Sequence, residues 1–129
     1  MFGFTGRECS DAKGHVLGRD FAVAGNILSS GDVLEAMAAS FKSSKGELGE
    51  RLVRALEAGQ RSGGDSRGKT SAVLLVASPR PMLWHDLRVD MHPSPVDELR
   101  RVFDAAKVMQ EELGEDEDGE VLRVLHINE

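Results

Sequence analysis

Gly63, Gly68, Lys69 and Thr70 stand in the stretch SGGDSRGKTS (residues 62–71) with the G-x-x-x-x-G-K-[ST] spacing of a phosphate-binding loop. That chemistry needs backbone N–H groups and a helix N-terminus converging on the anion, so a strand must enter the loop and a helix must leave it. The same loop carries Asp65 and Arg67. A carboxylate and a guanidinium there could clamp the two charged ends of an amino-acid-like substrate, because arginine matches a carboxylate bidentately. The simpler expectation is an internal Asp–Arg pair that stiffens the loop. Gly25-Asn26 offers amide donors of the kind that stabilise a developing oxyanion, and equally the residues of a turn at a strand end.

Three other groupings carry less. Asp86, Asp90 and His92 alternate along one strand face, but Arg88 sits between the carboxylates and would repel a metal, so a charge ladder is expected and no metal or cofactor. Cys9 and His15 supply a thiol and an imidazole. A single cysteine in a strand is more often a small buried hydrophobe. His85 falls among apolar alternations and reads as a core histidine.

The elements that position these residues follow from periodicity. MFGFTG reads as a strand, DAKG as a turn, and HVLGRDFAVAGNIL as a strand ending near Gly25-Asn26, so that the first 28 residues form one hairpin. Ser30 then caps a helix in which Val33, Leu34, Met37, Ala38 and Phe41 recur at helical spacing. KSSKG breaks it, and Glu47–Gln60 forms a second helix with Leu48, Leu52, Val53 and Leu56 on one face. SAVLLVAS (71–78) is a continuous apolar run, read as a buried strand. A helix therefore enters the glycine loop and a strand leaves it, the reverse of the nucleotide-binding order; the Gly63–Thr70 spacing predicts no nucleotide. After PRP, MLWHDLRVDMH alternates with His85, Leu87, Val89 and Met91 sharing a face. Ser94, Pro95 and Asp97 open the last helix, whose stripe is Val96, Leu99, Val102, Phe103, Ala106 and Met109, with Gly114 as its stop.

At 129 residues, 40% hydrophobic and 29% charged, the chain suits one domain. Residues 1–110 form that domain, 111–120 an acidic linker, and 121–129 a tail with the β character of an edge strand. The net charge of −6 is local: residues 111–129 hold eight acids and only Arg123, leaving 15 basic against 14 acidic groups in residues 1–110. No nucleic-acid surface is implied. No segment approaches the ~20 apolar residues of a membrane span, and one cysteine points to a reducing, cytoplasmic setting.

Taken in order, FAVAGNIL, LEAGQRSGGDSRGKTSAVLLV and DLRVDMHPSPVDELRRV resemble the later half of a bacterial and archaeal family called domain of unknown function 1028, placed among Ntn-hydrolase-like proteins; FTGREC resembles its preceding strand. The resemblance covers roughly residues 4–107. It implies an α+β fold, part of a four-layer αββα sandwich, with an antiparallel sheet and helices packed on one face. Members are about twice as long, and their first half supplies further strands. Ntn-type chemistry uses a Ser, Thr or Cys at the chain start with its own amine as base, and position 2 here is Phe2. The expectation is a module that does not catalyse alone, with Gly25, Asn26, Asp65 and Arg67 as pocket residues. It is expected to assemble with itself or with a complementary N-terminal-half polypeptide. The alternative is an amide or peptide hydrolase subunit active only in a complex that supplies the nucleophile.

Overall fold

A computed structural model describes residues 2–77 and 83–113. Seven elements run in the order β1 (Gly14–Leu17), β2 (Ala22–Gly25), α1 (Asp32–Ser43), α2 (Leu48–Arg61), β3 (Ala72–Ala77), β4 (Leu83–Val89) and α3 (Pro95–Leu113). From α1 onward this is the helix, helix, strand, strand, helix order that the periodicity predicts, while both opening strands fall, but for Gly14, within the one strand expected over HVLGRDFAVAGNIL. The strands form two antiparallel two-stranded sheets, β1 with β2 and β3 with β4. The stretch 114–129, with the Gly114 stop, the rest of the acidic linker and the expected edge strand, lies outside the described residues; α3 itself reaches into the linker as far as Leu113.

The first hairpin folds differently from expectation. Its turn is not DAKG but Gly18–Phe21, closed by the Gly18 N–H donating to the Phe21 carbonyl at 2.8 Å. The reason is local packing. The Phe21 ring lies over Gly18, where an added Cβ would come within 2.0 Å of it, so only glycine allows the reversal. Residues 2–6 consequently form no strand, and Phe2 and Phe4 are exposed.

All three helices cover one face of the sheets. Val23 of β2 packs with Leu34 and Ala38 of α1, and Phe21 meets Phe41 at 5.0 Å between ring centroids. Leu74 and Val76 of β3 and Val89 of β4 pack with Val53 of α2 and with Leu99 and Phe103 of α3. Leu99 and Phe103 are fully buried, and full burial stabilises by about 1.5–3 kcal/mol for each such side chain. His85 is 3% exposed and lies edge-on to Phe103 at 5.1 Å; burial holds its imidazole below the usual pKa.

Period-two alternation leaves the opposite face open. Leu17, Val73 and Leu75 are exposed there, with Ala22 and Ala24 beside them and Asp86 and Arg88 on β4. Three details differ from the sequence reading. Leu48, expected on the buried face of α2, is 48% exposed, and the small Gly49, Ala55 and Gly59 are buried instead. A Cβ on Gly49 would stand 2.8 Å from the Phe103 ring, and one on Gly59 2.7 Å from Met37. Close helix packing therefore selects the glycines. The α1 helix starts at Asp32 rather than directly after Ser30, although the Asp32 N–H still donates to the Ser30 hydroxyl at 3.3 Å. Met91 lies beyond β4, 90% exposed, because its positive φ of 52° ends the strand geometry.

Helix α3 is tied to α2 by charge as well as by the core. Arg100 donates from Nη1 to Glu50 and from Nε to Glu57, both at 2.7 Å. The hydrogen bond from Arg100 is the main reason that the Glu50 carboxyl is held down at about 2, against the opposing effect of its own burial.

Candidate functional site

The loop after β2 and the loop between α2 and β3 are distant in sequence and adjacent in space. A bridge pairs Leu28 with Asp65. The Ser66 N–H and hydroxyl both donate to the Ile27 carbonyl, at 2.9 and 3.0 Å, and the Ser29 N–H donates to the Gly64 carbonyl at 2.9 Å. Gly25, Asn26, Asp65 and Arg67 thus belong to one loop cluster at one end of the hairpin β1–β2.

The glycines build this approach. Gly64 donates its N–H to the Gly59 carbonyl and Gly63 to the Gln60 carbonyl, the paired bonds of a Schellman end to α2, with positive φ at both glycines. Gly63 also lies against Ser29, whose hydroxyl would be 2.1 Å from an added Cβ. A helix therefore enters the loop and β3 leaves it two residues past Thr70. The P-loop spacing is met without the strand-then-helix frame that gives it chemistry.

Within the cluster, Asn26 is a structural hub. Its Oδ1 accepts from the Ser10 N–H at 3.0 Å, the Ser10 hydroxyl at 2.9 Å and the Ile27 N–H at 2.9 Å. The Ile27 N–H also donates to the Ser10 hydroxyl at 2.8 Å. These bonds hold Ile27 at a φ of 58°, a conformation that a β-branched residue rarely adopts. Strain of that kind, held in place by surrounding bonds, gathers at functional sites. The three bonds use the amide oxygen and leave the Nδ2 hydrogens free of that role.

Asp65 and Arg67 form the internal pair that the sequence favours. Arg67 donates from its backbone N–H and Nε to Oδ1, at 2.8 and 3.0 Å, and from Nη2 to Oδ2 at 2.7 Å. The guanidinium hydrogen bond is the main cause that holds the Asp65 carboxyl near 2. The pair is exposed, and Nη1 takes no part in it. The cluster thus presents an amide and a guanidinium edge, donors suited to a carbonyl or carboxylate oxygen.

Ser10, Ile27 and Ser66 escaped the sequence reading. A backbone conformation and hydrogen bonds across 17 and 39 positions leave no periodic signal. The remaining candidates do not converge. Cys9 lies in a turn rather than in a strand, since the strand begins only at Gly14; its carbonyl accepts from Lys13. His15 is held by Thr5, Nδ1 to Oγ1 at 2.8 Å. Asp90 lies 3.6 Å from Arg88, and the His92 ring accepts the Ser94 N–H at 3.1 Å. No group of metal-binding side chains forms among the described residues.

A model of a family of unknown function, DUF1028, matches residues 1–99. The crystal structure of a protein of that family from Silicibacter pomeroyi is 35% identical and superposes with a TM-score of 0.72 over 81% of this chain and 44% of its own. The chain therefore spans less than half the length of that relative. No curated protein matches it. Sequence match and shared architecture agree, and the chain belongs to the family of unknown function DUF1028.

Proposed function

We propose that this polypeptide is one helix layer and one sheet layer of an Ntn-hydrolase-like αββα sandwich, a module that assembles with itself or with a complementary polypeptide rather than catalysing alone. The observation that carries this reading is a sheet face that no element covers among the described residues. Helices bury one side, while Leu17, Val73 and Leu75 stand 45%, 45% and 58% exposed on the other. Apolar side chains gathered on an open sheet face favour a second layer, as in face-to-face sheet packing. The solved relative is more than twice as long as the matched region, enough chain to supply that layer.

In such an assembly the loop cluster at Asn26, Asp65 and Arg67 forms one wall of a pocket. Asn26 Nδ2 and the Arg67 guanidinium would orient a carbonyl or carboxylate, and the nucleophile would come from the complementary polypeptide. This second reading, an amide hydrolase subunit, is favoured by the strained Ile27 beside those donors. A panel of amide and peptide substrates separates the two. The isolated chain is expected to hydrolyse none. If addition of the complementary region of the relative produces turnover that Arg67→Ala abolishes, the subunit reading holds. Turnover by the isolated chain would overturn both.

A further inference from the structure

The outer face of the two hairpins is not equally free along its width. On β1 it meets the N-terminal stretch: the Thr5 hydroxyl hydrogen-bonds His15 Nδ1 at 2.8 Å, and a Cβ on Gly3 would stand 2.5 Å from the His15 ring. On β3 and β4, by contrast, Val73, Leu75, Asp86 and Arg88 point outward and are exposed.

The strand register arranges these side chains as a block. Leu75 stands directly opposite Asp86, and Val73 opposite Arg88. An aliphatic pair on β3 thus lies beside a carboxylate and a guanidinium on β4. Among the described residues β4 pairs with β3 alone, so the charges form a polar border to the aliphatic pair, the layout of an interface rim. Arg88 meets Asp90 at 3.6 Å, with both side chains more than half exposed, a surface pair worth little.

A block of this order is complementary to itself in one orientation. A two-fold axis along the strands brings Asp86 onto Asp86 and Arg88 onto Arg88. Shifted between β3 and β4, the same axis sets each charge on an aliphatic side chain. A two-fold axis across the strands, level with Leu87, gives a different result. Asp86 of each copy then meets Arg88 of the other, and Leu75 of each meets Val73 of the other. Stacked sheets lie about 10 Å apart, a gap that an arginine facing an aspartate bridges. The charge order therefore selects one orientation and opposes the rest. A foreign partner would need no such reciprocal order.

We propose that the β3–β4 face binds the same face of a second copy, about a two-fold axis across the strands at Leu87, with two reciprocal Asp86–Arg88 ion pairs bordering the Leu75–Val73 contacts. The proposal rests on the assembly reading above and names its partner and orientation.

The test compares sedimentation equilibrium of the wild-type chain, Asp86→Lys, Arg88→Glu, the two single variants mixed in equal amounts, and the double variant. Both side chains are exposed, so the substitutions leave the helix-side core intact. Each single variant turns two attractive contacts into two repulsive ones and is expected to weaken self-association by about tenfold or more. The mixture and the double variant restore opposite charges across the axis, and each is expected to associate to within about threefold of wild type. Single variants that associate as well as wild type would overturn this orientation and leave the assembly reading standing. Weakened single variants that recover neither on mixing nor in the double variant would do the same, because the charges would then not face one another. A wild-type chain at single-chain mass throughout would overturn the proposal together with the self-assembling branch of that reading.

Discussion

Ile27 and Met91 are the two non-glycine residues with positive φ among the described residues, and their surroundings differ. Ile27 is fixed by Ser10, Asn26 and Ser66. Met91 is 90% exposed, so its side chain returns little for the strain. Met91→Gly should therefore raise stability by about 0.5–1 kcal/mol, the left-handed penalty less the entropy that glycine adds to the unfolded chain; a lower denaturation midpoint would contradict this. Glu50 gives a pH prediction. Its carboxyl is held at about 2 against an ordinary 4.5, chiefly by the hydrogen bond from Arg100. A depressed carboxyl stabilises fully above the ordinary value, and the contribution is lost as pH falls from about 4.5 through about 2. With solvent screening the loss should come to about 1–2 kcal/mol. In Glu50→Gln, urea titrations across that window should lose this part of the slope; an unchanged slope would show that the ion pair contributes nothing. None of these residue-level features except the Asp65–Arg67 pair was legible beforehand, because dihedral angles and long-range hydrogen bonds have no periodicity to read.

At the scale of elements, the sequence was most informative where one period ran for several turns. Helix α3 begins at Pro95 after Ser94, as its capping residues predict, and β3 lies within the continuous apolar run. It misled where small residues act through their neighbours. Gly18 makes the hairpin turn under Phe21, and Gly49 and Gly59 lie in the first and last turns of α2, where glycine still adds conformational entropy to the unfolded chain. Their value is the close approach they permit, and the two glycines should respond differently to substitution. Gly49→Ala meets the Phe103 ring at 2.8 Å and the His85 ring at 3.1 Å. It should destabilise by about 1–2 kcal/mol, overpacking outweighing the better helix propensity. Gly59→Ala meets the flexible Met37 chain and should be nearly neutral. Equal effects in thermal denaturation would mean that the ring contacts do not limit the α2–α3 approach.

For the whole molecule, a helix layer covers one side of two short sheets and leaves aliphatic side chains on the other. No described helix is long and apolar enough to cross a membrane. Exposed aliphatic side chains on a sheet face, beside strand edges that pair with no strand among the described residues, invite association, and the solved relative is more than twice as long as the region it shares with this chain. Leu75, on the open face and away from the helix-side core, is the residue through which to test this. The most direct measurement is sedimentation equilibrium of the purified chain beside Leu75→Lys. The account predicts a mass above that of one chain which rises with concentration, and a shift toward the single-chain mass in the variant. A wild-type chain that stays at single-chain mass across the accessible concentrations, indistinguishable from the variant, would contradict it.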